Sequence, residues 1–257
     1  MRIITLTTDF GIEDPFVAVM KGVIYTITSE ARVIDISHNI PPGNIVVGAF
    51  FVDYASKFFP RDTIHVVVVD PGVGGERRPI MVSARGQYFI GPDNGIFTPL
   101  YTGGESVYHL TSTWYFRTPV SNTFHGRDIF APVAAHLSTG LSPDFFGERI
   151  EDYKKIPLPT PKKLDDGTIE GEIIHVDRFG NLITNISHEL LDGTEYEIEI
   201  NGKVIEGIKK TYGSVPPGEP LALIDSFDML EIAINRGSAA RAFGVKPRTP
   251  VRVRRKS

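Results

Sequence analysis

The 257-residue chain has no cysteine and a single tryptophan. Without thiols there is no disulfide, no thiolate metal site and no cysteine nucleophile, and the composition suits a reducing, cytoplasmic compartment. No stretch reaches the ~18 consecutive apolar residues of a membrane-spanning helix, so no membrane partner is expected. The N-terminus, MRIITLTTDFG, lacks the apolar core and small residues of a signal peptide and reads as a first strand. Neither sign of charge dominates. The net charge is −4 and the basic residues are scattered, which argues against a nucleic-acid partner. The terminal RVRRKS is short and reads as a solvated tail. No Gly-Lys-Ser/Thr follows the glycine-rich turn, so it is no P-loop, and the G-x-G-x-x-G spacing of a dinucleotide fold is missing. Internal repeats and low-complexity segments are absent.

What remains is an ordinary soluble composition, 41% hydrophobic and 23% charged, long enough for one large domain or two modest ones. Ile3–Thr8, Arg32–Ile36 and Ile64–Val69 read as strands. Pro15–Thr28 reads as a helix with Asp14 as its N-cap, and a second helix starts after Asn44 and reaches about Phe58. Ile80–Ala84 and Gln87–Ile90 form a hairpin across Arg85-Gly86. A short helix is expected over Asp93–Leu100 and a longer one over Arg127–Leu137. Strands alternating with helices predict an α/β domain with a largely parallel sheet over residues 1–155. IPLPTPKK then places three prolines in eight residues, a semi-rigid linker over residues 156–166. From 167 to 257 helical periodicity fades into short strands, with Asn201-Gly202 as a hairpin turn. This predicts a small all-β barrel or sandwich.

Two runs carry most of the chemistry. Val66–Arg78, VVVVDPGVGGERR, is a buried strand ending on Asp70, then a glycine-rich turn and two arginines. Phe124–Asp128, FHGRD, sets a histidine just before a helix. Ligands of open α/β sheets bind beyond the carboxyl ends of the strands, which puts Asp70, Arg77 and His125 first among candidates. The plain alternative is a turn and a solvated arginine pair. Asp9, Asp70, Asp93-Asn94 and His125 with Asp128 recur at strand ends, and such carboxylates could converge on a divalent metal. No metal-ligand spacing accompanies them. In the second half, DRFGN at Asp177–Asn181 offers an amide suited to an adenine edge, or a turn asparagine serving its own backbone. In Asp225–Gly237, Ser226 and Glu231 are polar points on an apolar strand. The other histidines and Trp114 read as packing or surface residues.

Six motifs in order, TDFG, DPGVGGER, GPDNG, FHGRD, DRFGN and SFDMLEIAINRGSA, resemble those of the S-adenosyl-L-methionine hydroxide adenosyltransferases, relatives of the fluorinase and chlorinase. The similarity spans about Ile3 to Val253. It implies a metal-free, cofactor-free enzyme that cleaves S-adenosyl-L-methionine (SAM) to adenosine and L-methionine. It also implies an N-terminal α/β domain, a C-terminal β-barrel and a homotrimer with sites between subunits. The family's polar triad maps onto Asp70, Arg77 and His125. Asp9 would hold the ribose hydroxyls, and Asn181 and the backbone near Gly237 would read adenine, with Tyr212 close by. Asp177, Ser226 and Glu231 would hold the methionine ammonium and carboxylate. Two other readings stay open: a SAM-binding sensor without turnover, and a metal-dependent nucleotide phosphohydrolase using the same carboxylates.

The resemblance also separates siblings. The halogenases carry tyrosine where this chain has Asp70, and Tyr-Ser or Tyr-Gly at His125-Gly126. A carboxylate about 4 Å from a halide costs on the order of 4 kcal/mol at an effective dielectric near 20, so Asp70 argues for water as nucleophile. The reaction expected is in-line displacement at the ribose C5′, with a neutral thioether leaving. Hydroxide at pH 7 costs roughly 12 kcal/mol. Arg77 and the sulfonium would stabilise it, with His125 as a candidate base and Asp70 orienting water or Arg77.

Overall fold

A computed structural model describes residues 2–256, which fold as two units divided between Pro157 and Leu158. In chain order the first unit contains β1 (Ile3–Thr8), α1 (Phe16–Ile27), β2 (Arg32–Ser37), α2 (Ile45–Ser56), β3 (Ile64–Val68), β4 (Pro79–Ala84), β5 (Gln87–Pro92), β6 (Ser106–His109), α3 (Ala131–Ser138) and β7 (Arg149–Ile150). Its sheet runs β2-β1-β3-β5-β4-β6-β7. The first four strands are parallel, and β4, β6 and β7 add an antiparallel flank.

Helices cover both faces. Val66 and Val68 of β3 pack with Met20 and Ile24 of α1 and Val133 of α3. Val67 and Val69 point the other way, toward Val47 and Val52 of α2. A strand buried on both faces must read as a continuous apolar run, and β3 does. The apolar spacing of α1 puts Val17, Met20 and Ile24 on one stripe. Asn44 caps α2, its side chain accepting from the Val47 amide at 3.1 Å. At the start of α1 Pro15, not Asp14, holds the cap position, without a side-chain cap.

The helix expected over Asp93–Leu100 shrinks to one 3₁₀ turn, Thr98–Leu100. Tertiary partners extend the rest. Asp93 is bound by Arg78 at 2.8 and 3.1 Å and by the Lys154 amide at 2.7 Å. Asn94 donates to the Val69 carbonyl at 2.9 Å, and Gly95 has φ +95°.

The second unit holds β8 (Lys162–Lys163), β9 (Ile169–Val176), β10 (Leu182–Ser187), β11 (Tyr196–Ile200), β12 (Lys203–Glu206), β13 (Ile208–Lys209), β14 (Pro220–Ile224), β15 (Met229–Ile234), α4 (Ala239–Phe243) and β16 (Pro250–Arg255). The sheet order is β12-β11-β16-β9-β10-β15-β14-β13, with β8 pairing β9. It curls until β12 meets β14, a nearly closed barrel around Ile173, Ile198, Leu230 and Val253. Asn201 and Gly202 take φ +47° and +73°, the conformation a two-residue hairpin demands. The helix α4 lies outside the all-β expectation. Ser238 caps it and left-handed Gly244 ends it.

Candidate active site

In the first unit the site grows from the carboxyl ends of β1 and β3, which are parallel neighbours in register at Thr8 and Val68. Just beyond β3 the chain turns at Asp70, and its carbonyl takes the Val73 amide at 3.3 Å. The turn brings Arg77 back onto Asp70. Arg77 Nε donates to both carboxylate oxygens at 3.0 Å, and Nη2 makes a short contact with Oδ2. Both side chains are buried, 9% and 3% exposed. The guanidinium carbon sits 5.5 Å over the Phe130 ring.

Arg77 Nη2 also lies 2.7 Å from His125 Nδ1. Arginine only donates, so Nδ1 accepts and the ring proton is on Nε2. Burial lowers the His125 pKa below its usual value, and the Arg77 charge lowers it further, with Asp70 and Asp128 opposing. Arg77 Nη1 is buried and has no partner among the described residues. The three residues assigned first from sequence therefore form one connected set.

His125 is held by the loop before it. Asp128 is fully buried, accepting from Arg127 at 2.6 and 2.8 Å and from the Ser121 amide at 2.9 Å. A π-helical turn, Gly126–Phe130, precedes α3. A Cβ on Gly74, at φ +74°, would lie 2.1 Å from the Asn122 carbonyl oxygen, so the Arg77 and His125 loops touch backbone to backbone. Asp128 and Asp93 are thus spent on arginines, correcting the idea of carboxylates converging from four strand ends. No group of three His, Asp or Glu side chains gathers in metal-binding geometry among the described residues. Asp9 does reach the same sheet edge. Its Oδ2 accepts the Gly43 amide at 2.8 Å, and a Cβ on Gly43 would touch Pro71 at 3.6 Å.

In the second unit Asp177 ends the run of β9. Its Oδ1 takes the Phe179 and Asn181 amides at 2.9 and 2.8 Å, and its Oδ2 takes Asn181 Nδ2 at 3.1 Å. Gly180 has φ +86°, and a Cβ there would meet Ser238 Oγ at 2.1 Å. This packs DRFGN against the turn after β15. Between them is a cleft of about 500 Å³ lined by Phe179, Asn181, Tyr212, Arg236, Gly237 and Arg241 among others. A larger hollow of about 610 Å³ around Lys162, Glu172 and Arg252 holds none of the site residues. Tyr212 donates to Glu231 Oε1 at 2.8 Å. Glu231 is 3% exposed, and burial, with the charges of Asp225 and Asp177, pushes its pKa up to about 7. Ser226 is exposed in the turn between β14 and β15 and does not line the cleft.

Residues 4–147 match the SAM hydroxide adenosyltransferase N-terminal domain and residues 171–252 match the C-terminal domain. The chain belongs to the SAM hydroxide adenosyltransferase family. Within and around the family, a Thermus thermophilus protein named (R)-S-adenosyl-L-methionine hydrolase is 38% identical, covering 98% of this chain and all of that one. A fluorinase from Actinopolyspora mzabensis is 26% identical over 98% of this chain and 97% of its own. The crystal structure of an uncharacterized conserved protein from Thermotoga maritima superposes with a TM-score of 0.92 at 36% identity, covering 98% of this chain and 100% of that one.

Sequence reasoning missed Phe130, which floors Arg77, the cleft residues Phe179, Arg236 and Arg241, and Asp225. The Asp225 Oδ2 is buried without a hydrogen bond. Phe179 and Arg236 adjoin motif positions and were within reach. Phe130 reads from the sequence as one more core position beside Ala134 and Leu137, and only the tertiary fold sets it under Arg77.

Proposed function

We propose that this SAM hydroxide adenosyltransferase hydrolyses SAM to adenosine and L-methionine by in-line attack of hydroxide at C5′. The observation that carries this is the buried Asp70–Arg77–His125 set with a spare donor, Arg77 Nη1. The family membership and the hydrolase name of the 38%-identical relative support it. The guanidinium engages both Asp70 oxygens and His125 Nδ1, so the neutral His125 ring, with its proton on Nε2, has no free nitrogen to take another. The geometry favours stabilising a hydroxide over making one by general base. Arg77 Nη1 would hold the hydroxide, and the substrate's sulfonium would add a second positive charge. Asp70 keeps Arg77 aimed and repels halide. Asp9 would take the ribose; Asn181, Tyr212 and the Gly237 backbone the adenine; Asp177, Glu231 and Ser226 the amino-acid end.

In this reading no metal or cofactor takes part, the enzyme is a homotrimer with sites shared between subunits, and it works in the cytoplasm. The cysteine-free composition supports the last point. Among the described residues no helix is long and apolar enough to cross a membrane. The test is SAM incubated with EDTA-treated protein and analysed by chromatography across pH 6–9. Adenosine and methionine should form, at a rate that climbs with pH as hydroxide does. Bound SAM without products would establish the sensor reading. Loss of activity in EDTA with recovery on adding a divalent ion would establish the phosphohydrolase reading.

A further inference from the structure

The turn that carries Asp9 is held from behind by side chains outside the catalytic set. Thr8 is fully buried. Its Oγ1 accepts the Phe10 amide at 3.3 Å and lies 2.9 Å from His38 Nδ1. The His38 carbonyl accepts the Gly11 amide at 2.8 Å. The Thr8 side chain and the His38 main chain therefore hold the two amides that follow Asp9, and the His38 imidazole in turn holds Thr8. His38 is 6% exposed, and its Nε2 sits 3.0 Å from Asp35 Oδ1. Lys21 in turn anchors Asp35 at 2.5 Å. The Asp35 carboxylate can only accept, so a ring proton on Nε2 faces it, and Nδ1 is then left to accept the Thr8 hydroxyl proton.

On the other side of the turn the Gly43 amide occupies Asp9 Oδ2. Asp9 Oδ1 has no hydrogen bond among the described residues. We propose that His38 is a positioning residue: through Thr8 it fixes the Asp9–Gly11 turn so that Oδ1 is presented to a sugar hydroxyl of the substrate. This rests on reading Asp9 as the ribose carboxylate. The same sheet supplies an internal contrast. Thr5 and His65 form a second buried pair at 2.7 Å, also between a β1 threonine and an imidazole. That pair holds no turn, so it belongs to stability alone.

The experiment is a mutant cycle on the full-length enzyme, reading kcat and KM for SAM. With slow chemistry KM reports binding. Thr8→Val and His38→Phe should each raise KM roughly ten-fold or more, the range of a lost charged hydrogen bond, with kcat within about two-fold. Thr8→Ser should match wild type. In an Asp9→Asn background neither change should raise KM further, because both act through that carboxylate. Thr5→Val should lower the melting temperature and leave KM alone. Should His38→Phe fail to fold, the near-isosteric Thr8→Val decides. Additive KM effects in the Asp9→Asn background, or loss of kcat without a change in KM, overturn the proposal while the hydrolase reading stands. A wild-type enzyme that does not hydrolyse SAM overturns both.

Discussion

Arg77 Nη2 lies 2.7 Å from His125 Nδ1, and that contact sets the protonation of the histidine. A guanidinium cannot accept, so His125 is neutral with its proton on Nε2. Burial and the Arg77 charge both hold its pKa below 6.5. Nitrogen NMR on histidine-labelled protein should show a neutral Nε2–H ring at pH 7. An imidazolium there would refute the assignment, and a proton on Nδ1, which leaves Nε2 free to accept, would return His125 to the role of base.

Arg77→Lys keeps the charge but loses the fork that engages Asp70 and His125 together. Turnover should fall about 100-fold or more, the scale for losing a transition-state donor, while KM for SAM moves less than about three-fold. A variant with normal kcat and a large rise in KM would make Arg77 a substrate clamp instead.

Glu231 is buried beneath Tyr212, with its pKa raised to about 7. Pairing with the substrate ammonium needs the ionised carboxylate. KM for SAM should therefore fall as pH rises through about 7, and Glu231→Gln should flatten that dependence. The same slope in the variant would remove Glu231 from the ammonium site.

His65 is buried between Thr5 and the Phe89 ring, and burial depresses its pKa from 6.5 to about 4. The unfolded chain takes up the proton first as pH falls. Stability is therefore complete above pH 6.5 and drains away between 6.5 and about 4, by roughly 3 kcal/mol. Over that window the melting temperature of wild type should drop about 6–12 °C more than that of His65→Phe. Parallel profiles for the two proteins would show that another group governs acid stability.

If subunits share sites, Asp70→Ala and Asn181→Ala variants, unfolded and refolded together, should recover activity that neither has alone. Light scattering should give a trimer. A fully active monomer would rule out shared sites.

The parts of this molecule legible in its sequence are those decided locally. The continuous apolar run of β3 ending on Asp70, the Asn44 cap and the Asn201-Gly202 turn each carry their cause within a few residues. The contact between Asp70 and Arg77 was legible because the two are seven apart on one tight turn. The failures share a different cause. Asp93 bonds to Arg78 and Lys154, fifteen and sixty-one residues away, and those partners override helix propensity. Asp128 looks like a ligand in FHGRD, yet arginines on either side of the loop claim it.

The backbone contact between Gly74 and Asn122 has a bearing on descent. A side chain at position 74 cannot be added without moving the loop that ends at His125. The two loops therefore cannot drift separately. In any lineage that replaces Gly74, the stretch around Asn122 should have changed with it. Grafting one loop alone from a halogenating cousin should give a misaligned site rather than a new nucleophile preference; a functional exchange has to transplant both together.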